Sequence, residues 1–267
     1  MKKYITSLAL LSMLAAPAAY AARAWLLPSQ TILARSGGWV AFDAAAADDL
    51  FSVNQATLPA DGLTVTTPDG QPLAPQNSAK ARTRNTFDLE MRQPGTYRIT
   101  IVDDVIAARW EEEGKPKRWR GAASEMAANV PANAAKLDVE QNLRRVETFV
   151  TVGAPTELKP VAGAGLELIP LQHPNDLYAG ESAKLRFLLD GKPAADLEVE
   201  VIQGGTRYRD APDAIVQRTD KDGVVTIKWP APGMYWIDAG VKDEKSAAPN
   251  VKKRSASYNA TFEVLPQ

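Results

Sequence analysis

Two stretches near the middle of the chain leave little freedom in how it folds. In AKLRFLLDG, Leu185, Phe187 and Leu189 recur at every second position. In ADLEVEVIQ, Leu197, Val199 and Val201 do the same, while Glu198 and Glu200 take the alternate sites. Successive side chains of a strand point to opposite faces, so a period of two marks a half-buried antiparallel strand. Asp190-Gly191, then Lys192-Pro193, separates the runs. Glycine reaches positive φ cheaply and proline presets a turn, so the two runs are expected to form a hairpin. His173, the only histidine, stands just before them. Pro174, Asn175 and Asp176 follow it, which puts the imidazole on a loop.

The same alternation recurs along the chain. Phe87, Leu89 and Met91 precede Gln93-Pro94-Gly95, and Tyr97, Ile99 and Ile101 follow it. Val225, Ile227 and Trp229 precede a turn at Pro230 to Gly233, and Tyr235 and Ile237 follow. Both read as hairpins. The chain closes on Tyr258, Ala260, Phe262 and Val264, one face of a last strand. An internal repeat accompanies the alternation. Asp69-Gly70-Gln71-Pro72 matches Asp190-Gly191-Lys192-Pro193, and Pro94-Gly95-Thr96-Tyr97 matches Pro232-Gly233-Met234-Tyr235. The two tyrosines are expected to bury their rings and bond a nearby backbone group. The pattern predicts an all-β chain of two immunoglobulin-like β-sandwich domains. They span 22–152 and 166–267, joined by a Gly/Ala/Pro-rich linker over 153–165. Charged, alanine-rich residues near 107–145 predict a small irregular or helical insertion in the first domain, with a hairpin at Trp110 and Trp119 and a short helix before Pro131.

The first 21 residues read as a signal peptide. Lys2 and Lys3 form its positive start, Ile5 to Ala16 its apolar segment, and Ala19-Tyr20-Ala21 its cleavage site. No later stretch approaches membrane-spanning length, so the processed chain is expected to be periplasmic. It has no cysteine, and its 267 residues suffice for a core without disulfides. A formal net charge of -1 gives no global field to attract nucleic acid.

The order of RAWLLPS, TVTTPDG, QPGTYRI, KRWRG, VETFVTVG, LELIPLQHPNDLYAGE, LLDGKPAA and GMYW resembles the periplasmic domain-of-unknown-function family 4198 over most of the processed chain. The resemblance implies a periplasmic component of nickel or cobalt uptake. It implies a transition metal as cofactor or cargo, and a membrane transport component or outer-membrane receptor as partner. In that family a histidine often precedes the Arg-x-Trp-Leu motif; here the position is Ala22.

Few residues suggest chemistry. His173 with Asp176 offers one imidazole and one carboxylate to a metal, fewer than a tight site needs. Trp110 and Trp119, with Arg118 and Arg120, offer an aromatic-basic face to a partner. Asp48-Asp49 and Asp103-Asp104 read as solvated loop charge, and Asp220, Asp222 and Gly223 as a plain turn. With one histidine, no cysteine and no nucleophile elbow or phosphate loop, the chain reads as a non-enzyme. Two roles fit: a binding protein that assists uptake of a metal or metal chelate, and an envelope scaffolding module without a small ligand.

Overall fold

A computed structural model describes residues 22–161 and 163–267; the expected signal peptide at 1–21 lies outside the described residues. The strands of the first half are β1 (Arg23–Pro28), β2 (Ile32–Leu33), β3 (Gly38–Ala47), β4 (Ala56–Thr57), β5 (Leu63–Thr66), β6 (Gln76–Lys80), β7 (Asn85–Met91), β8 (Gly95–Glu112), β9 (Lys115–Gly121) and β10 (Ala135–Val152). Those of the second half are β11 (Leu166–Pro170), β12 (Ser182–Leu189), β13 (Lys192–Pro193), β14 (Glu198–Gln203), β15 (Ile215–Arg218), β16 (Val224–Lys228), β17 (Gly233–Asp243) and β18 (Lys253–Val264). The all-β, immunoglobulin-like expectation holds. Residues 107–145 are largely the far ends of β8 and β10 with β9 between them, and the helix there is one turn, α1 (Met126–Asn129).

The strands form three sheets. One runs β1-β3-β7-β6, with β4 on β3. A second holds β11, β12, β13 and β16. The third runs β15-β14-β17-β18-β10-β8-β5, with β2 and β9 on its flanks. This third sheet crosses from one half of the chain to the other. Its seam is a parallel ladder between β10 and β18, from Glu140 opposite Lys253 to Thr148 opposite Thr261.

Each half builds a core on a different face of the shared sheet. Val146, Val150 and Val152 of β10 pack with Phe42, Phe87, Tyr97 and Ile99 against the first sheet. Phe42 and Phe87 lie opposite each other across β3 and β7 and stack at 4.9 Å. Leu143 and Phe149, which alternate with those valines, pack with Phe187, Trp229, Tyr235 and Tyr258 against the second sheet. The two sandwiches therefore share a middle layer and lie on opposite sides of it. Burying side chains of this size stabilises the fold by roughly 1.5–3 kcal/mol each before entropy is counted.

The three expected hairpins need correction. β12 and β14 lie in different sheets, as do β7 and β8, and β16 and β17. At Asp190-Gly191 only Leu188 and Leu189 pair back, with Pro193 and Lys192, before the chain crosses to the facing sheet. The physical reason is that alternation identifies an apolar face without identifying its partner. Phe187 and Val199 meet inside one core from opposite walls, not side by side in one sheet. The Trp110/Trp119 segment, by contrast, is a true hairpin of β8 and β9. Both tyrosines behave as expected. Tyr97 Oη accepts from Gln93 N–H at 2.7 Å, and Tyr235 Oη donates to the Ala231 carbonyl at 2.8 Å.

Candidate functional site

β8 begins at a crossing between sheets and then alternates. Tyr97, Ile99 and Ile101 enter the first core. Thr96, Arg98 and Thr100 point to the opposite face, where the second half of the chain covers them. On that face Thr66 of β5 and Phe149 of β10 flank Arg98 in register. β5 is the sheet edge, so the row Thr66–Arg98–Phe149 runs from solvent to core.

A cleft of about 370 Å³ opens over this row. Its floor holds Thr66, Thr96 and Arg98; one wall is the turn Thr67–Gly70 and the other is the connector 157–161. The segment 153–165 has no strand or helix among its described residues, yet it is firmly tied. Thr96 N–H donates to Thr156 Oγ1 at 2.9 Å, and Thr156 N–H donates to Thr96 Oγ1 at 3.1 Å. Arg98 Nη1 donates to the Lys159 carbonyl at 2.9 Å. Gly95 sits where the walls converge, at φ +113°; a Cβ there would lie 2.7 Å from Pro68 Cβ and 2.8 Å from Thr156 Cγ2. Only glycine suits both the backbone conformation and the space.

His173 sits directly behind the floor. Its Nδ1 accepts from Asn175 N–H at 3.1 Å, and its Nε2 lies 2.9 Å from Thr96 Oγ1. The hydroxyl network fixes the proton. Thr151 Oγ1 donates to Asn175 Oδ1, so in the 2.9 Å contact between the two threonines Thr96 is the donor. Thr96 has then spent its hydrogen, and His173 must donate from Nε2. A second proton on Nδ1 would face the Asn175 N–H. Burial pushes the imidazole below its ordinary pKa, opposed by a bond to the Thr156 backbone and by the Asp176 charge. Asn175 Nδ2 also donates to the Phe149 carbonyl, so the loop 173–176 pins the second half to β8 and β10. Both ring nitrogens are thus engaged, and the Asp176 side chain is exposed. Among the described residues no group of three metal-binding side chains occurs.

The four residues expected to share an aromatic-basic face are divided. Trp119 lies opposite Ala108 and Trp110 opposite Lys117, so both rings leave one side of the hairpin. Trp119 packs there against Ile106, Ala248 and Val251. Arg118 and Arg120 lie opposite Arg109 and Ala107 on the other side, where Arg120 Nη2 is 3.8 Å from Asp103 Oδ2. The alternation in Arg118-Trp119-Arg120 itself dictates this split.

The acidic pairs differ as well. Asp103 and Asp104 lie within β8, not on a loop: Asp103 bonds Arg144, and Asp104 accepts from Gln141 at 2.8 Å. Asp220 caps its own turn, accepting from Asp222 and Val224 N–H. A cleft of similar size, about 360 Å³, opens near Pro59, Lys80 and Phe87; its buried polar group is the Asn85 amide, and no buried charge lines it.

Sequence reasoning missed Arg98 and Thr66. An outward strand position carrying arginine reads as solvent-facing, and only the arrival of the second half buries it.

A search of curated proteins returns no match. Among solved structures, the human OSCAR ligand-binding domain is similar at 15% identity and a TM-score of 0.22, covering 90% of this chain and 97% of that one. The D0-D1 domain of Intimin is similar at 11% identity and a TM-score of 0.21, covering 89% and 96%. A DUF4785 family protein from Legionella pneumophila is similar at 8% identity and a TM-score of 0.24, covering 80% of this chain and 50% of that one. The family model for the domain of unknown function DUF4198 matches residues 19–243, most of the chain, and the protein belongs to that family.

Proposed function

We propose that the protein is an exported, non-catalytic binding protein of the periplasm. It takes a small ligand in the junction cleft and assists uptake of a transition metal, nickel or cobalt, in chelated form. Its partner is a membrane transport component or an outer-membrane receptor. The observation that carries this reading is the cleft itself, built jointly by β5, β8 and the connector between the sandwiches. A ligand there touches the first half and the tether of the second at once. A chelate is favoured over a bare ion because both nitrogens of His173 are already engaged. Export rests on Lys2, Lys3, the apolar run and Ala19-Tyr20-Ala21. No helix among the described residues is long and apolar enough to cross a membrane.

The test is amide hydrogen exchange on the processed chain, starting at residue 22, with nickel chloride, nickel citrate or citrate added. Cell fractionation and nickel accumulation in a deletion strain accompany it. The expected result is slowed exchange over 156–161 with a chelate and not with nickel chloride, a periplasmic protein, and reduced accumulation. Unchanged exchange with every addition, together with unchanged accumulation, would overturn the reading. It would move the weight to a scaffolding module without a small ligand. Tyr208, 83% exposed, and Trp39, 47% exposed, are the surface aromatics from which such a module would draw contacts.

A further inference from the structure

Arg98 is only 7% exposed, and buried cations are ordinarily paired with an acid. Arg98 is not. Nη1 donates to the Lys159 carbonyl, the guanidinium carbon lies 5.5 Å from the Phe149 ring centre, and Nε is buried without a hydrogen-bond partner. The buried acids nearby are committed elsewhere. Glu147 accepts from Thr100 Oγ1 at 3.0 Å, Tyr258 Oη at 2.8 Å and Arg145 Nη1 at 3.4 Å. Glu167 accepts from Val161 N–H. Across the edge strand, on the same face, stands the hydroxyl of Thr66.

We infer that the junction cleft binds a small carboxylate, with the Arg98 guanidinium and the Thr66 hydroxyl donating to its oxygens. This rests on the reading of the cleft as the ligand site and names the chemistry of its ligand. A carboxylate can accept from the guanidinium N–H groups that Lys159 leaves free, and a charge-assisted bond there supplies the anion that Arg98 lacks. The carboxylates of Asp69 and Glu157 at the rim oppose a multiply charged anion, which favours a carboxylate whose charge a bound metal partly neutralises over free phosphate. The volume lies within the range of small-molecule sites, roughly 300–1,000 Å³. Free organic acids and metal-loaded hydroxycarboxylates share this headgroup.

Calorimetry on the processed chain tests the inference with citrate, nickel citrate, the neutral triamide of citrate, and inorganic phosphate. Wild type, Arg98→Gln and Thr66→Val are compared, with melting curves to check folding. Citrate or nickel citrate is expected to bind, and their ratio identifies the physiological form. Arg98→Gln is expected to weaken binding at least thirtyfold and Thr66→Val about fivefold. The triamide and phosphate should bind at least tenfold more weakly than the acid. If Arg98→Gln fails to fold, Thr66→Val and the triamide carry the test with Arg98 intact. Equal affinity for citrate and its triamide, or full affinity in Thr66→Val, sinks the carboxylate assignment. A neutral molecule that slows exchange at 156–161 where citrate does not would also sink it, while leaving the cleft as a ligand site. If nothing protects that segment, both readings fall.

Discussion

The same four-residue signature sits at two corners of the molecule and produces two different junctions. In Pro94-Gly95-Thr96-Tyr97 and Pro232-Gly233-Met234-Tyr235, the tyrosine closes its own core and the next residue faces the other half of the chain. After Tyr97 that residue is Arg98, which donates to the Lys159 carbonyl at 2.9 Å under an open cleft. After Tyr235 it is Trp236, which donates to the Ala24 carbonyl at 2.8 Å inside an apolar cluster with Trp25, Ala45, Leu50 and Ile202. The corner fixes where the outward residue goes. Its chemistry then decides whether the contact is a seal or a site. An apolar ring expels water and closes the junction, whereas a guanidinium keeps its donors and leaves the junction able to receive an anion.

The contrast can be broken first at the seal. Trp236→Ala removes a nearly buried ring from a packed cluster and should cost about 3–5 kcal/mol in global unfolding measured by denaturant. With Trp236 in place, both sandwiches should unfold in one transition, since the middle sheet is shared. Two separate transitions would show that the seal does not couple the halves.

The two corner glycines come next. Gly95→Ala puts a Cβ against Pro68 and Thr156 at positive φ and is expected to cost about 1–3 kcal/mol. Gly233→Ala, also at positive φ, meets only the flexible end of Gln203 at 3.2 Å, so its cost should be the smaller. Melting temperatures of the two variants check the order, and equal losses would mean that the cleft walls yield freely.

The smallest effects are in pH dependence, where the two junctions carry opposite signs. On the side of the seal, burial raises Asp238 to about 6, offset by the Asn259 bond at 2.6 Å, with Glu200 adding to the rise and Arg23 opposing it. Its folded pKa lies above the unfolded one, so its contribution is present below about 4 and is lost as pH rises through 6. Asp238→Asn should therefore stabilise the protein at pH 7.5, by about 1–2 kcal/mol. At the cleft, His173 has a folded pKa below its unfolded value. Its contribution is complete above about 6.5 and is lost as pH falls below that. His173→Gln should flatten the acid side of the stability curve and leave the neutral side unaltered in slope. Chemical denaturation from pH 4.5 to 8 reads both, and parallel curves for the two variants would contradict the assignment.

Much of this was legible before the structure. Alternation located the strands, and the repeated Pro-Gly-x-Tyr located both corners. What alternation cannot report is which sheet a strand joins. Phe87 and Tyr97, Phe187 and Val199, and Ile227 and Tyr235 all read as hairpin neighbours and all proved to be facing walls. The tyrosine was the missed signal, because a ring that bonds back to its own turn marks a crossing between sheets. His173 was placed on its loop correctly, but its partner Thr96 lies 77 residues away and no local pattern names it. Arg98 was unreadable for the same reason. The alternate positions of an edge-near strand look solvated until a distant segment covers them.

The parallel seam between β10 and β18 also has a consequence in time. The β18 partners of β10 lie more than 100 residues downstream. While the polypeptide is being made, the first sandwich must wait with that strand edge uncovered, and an uncovered edge is a template for pairing with other chains. Closing so long a loop is slow, and the two parts of the middle layer are joined only when β18 arrives. β18 therefore acts as a latch, and a chain without it would lose more than its second sandwich.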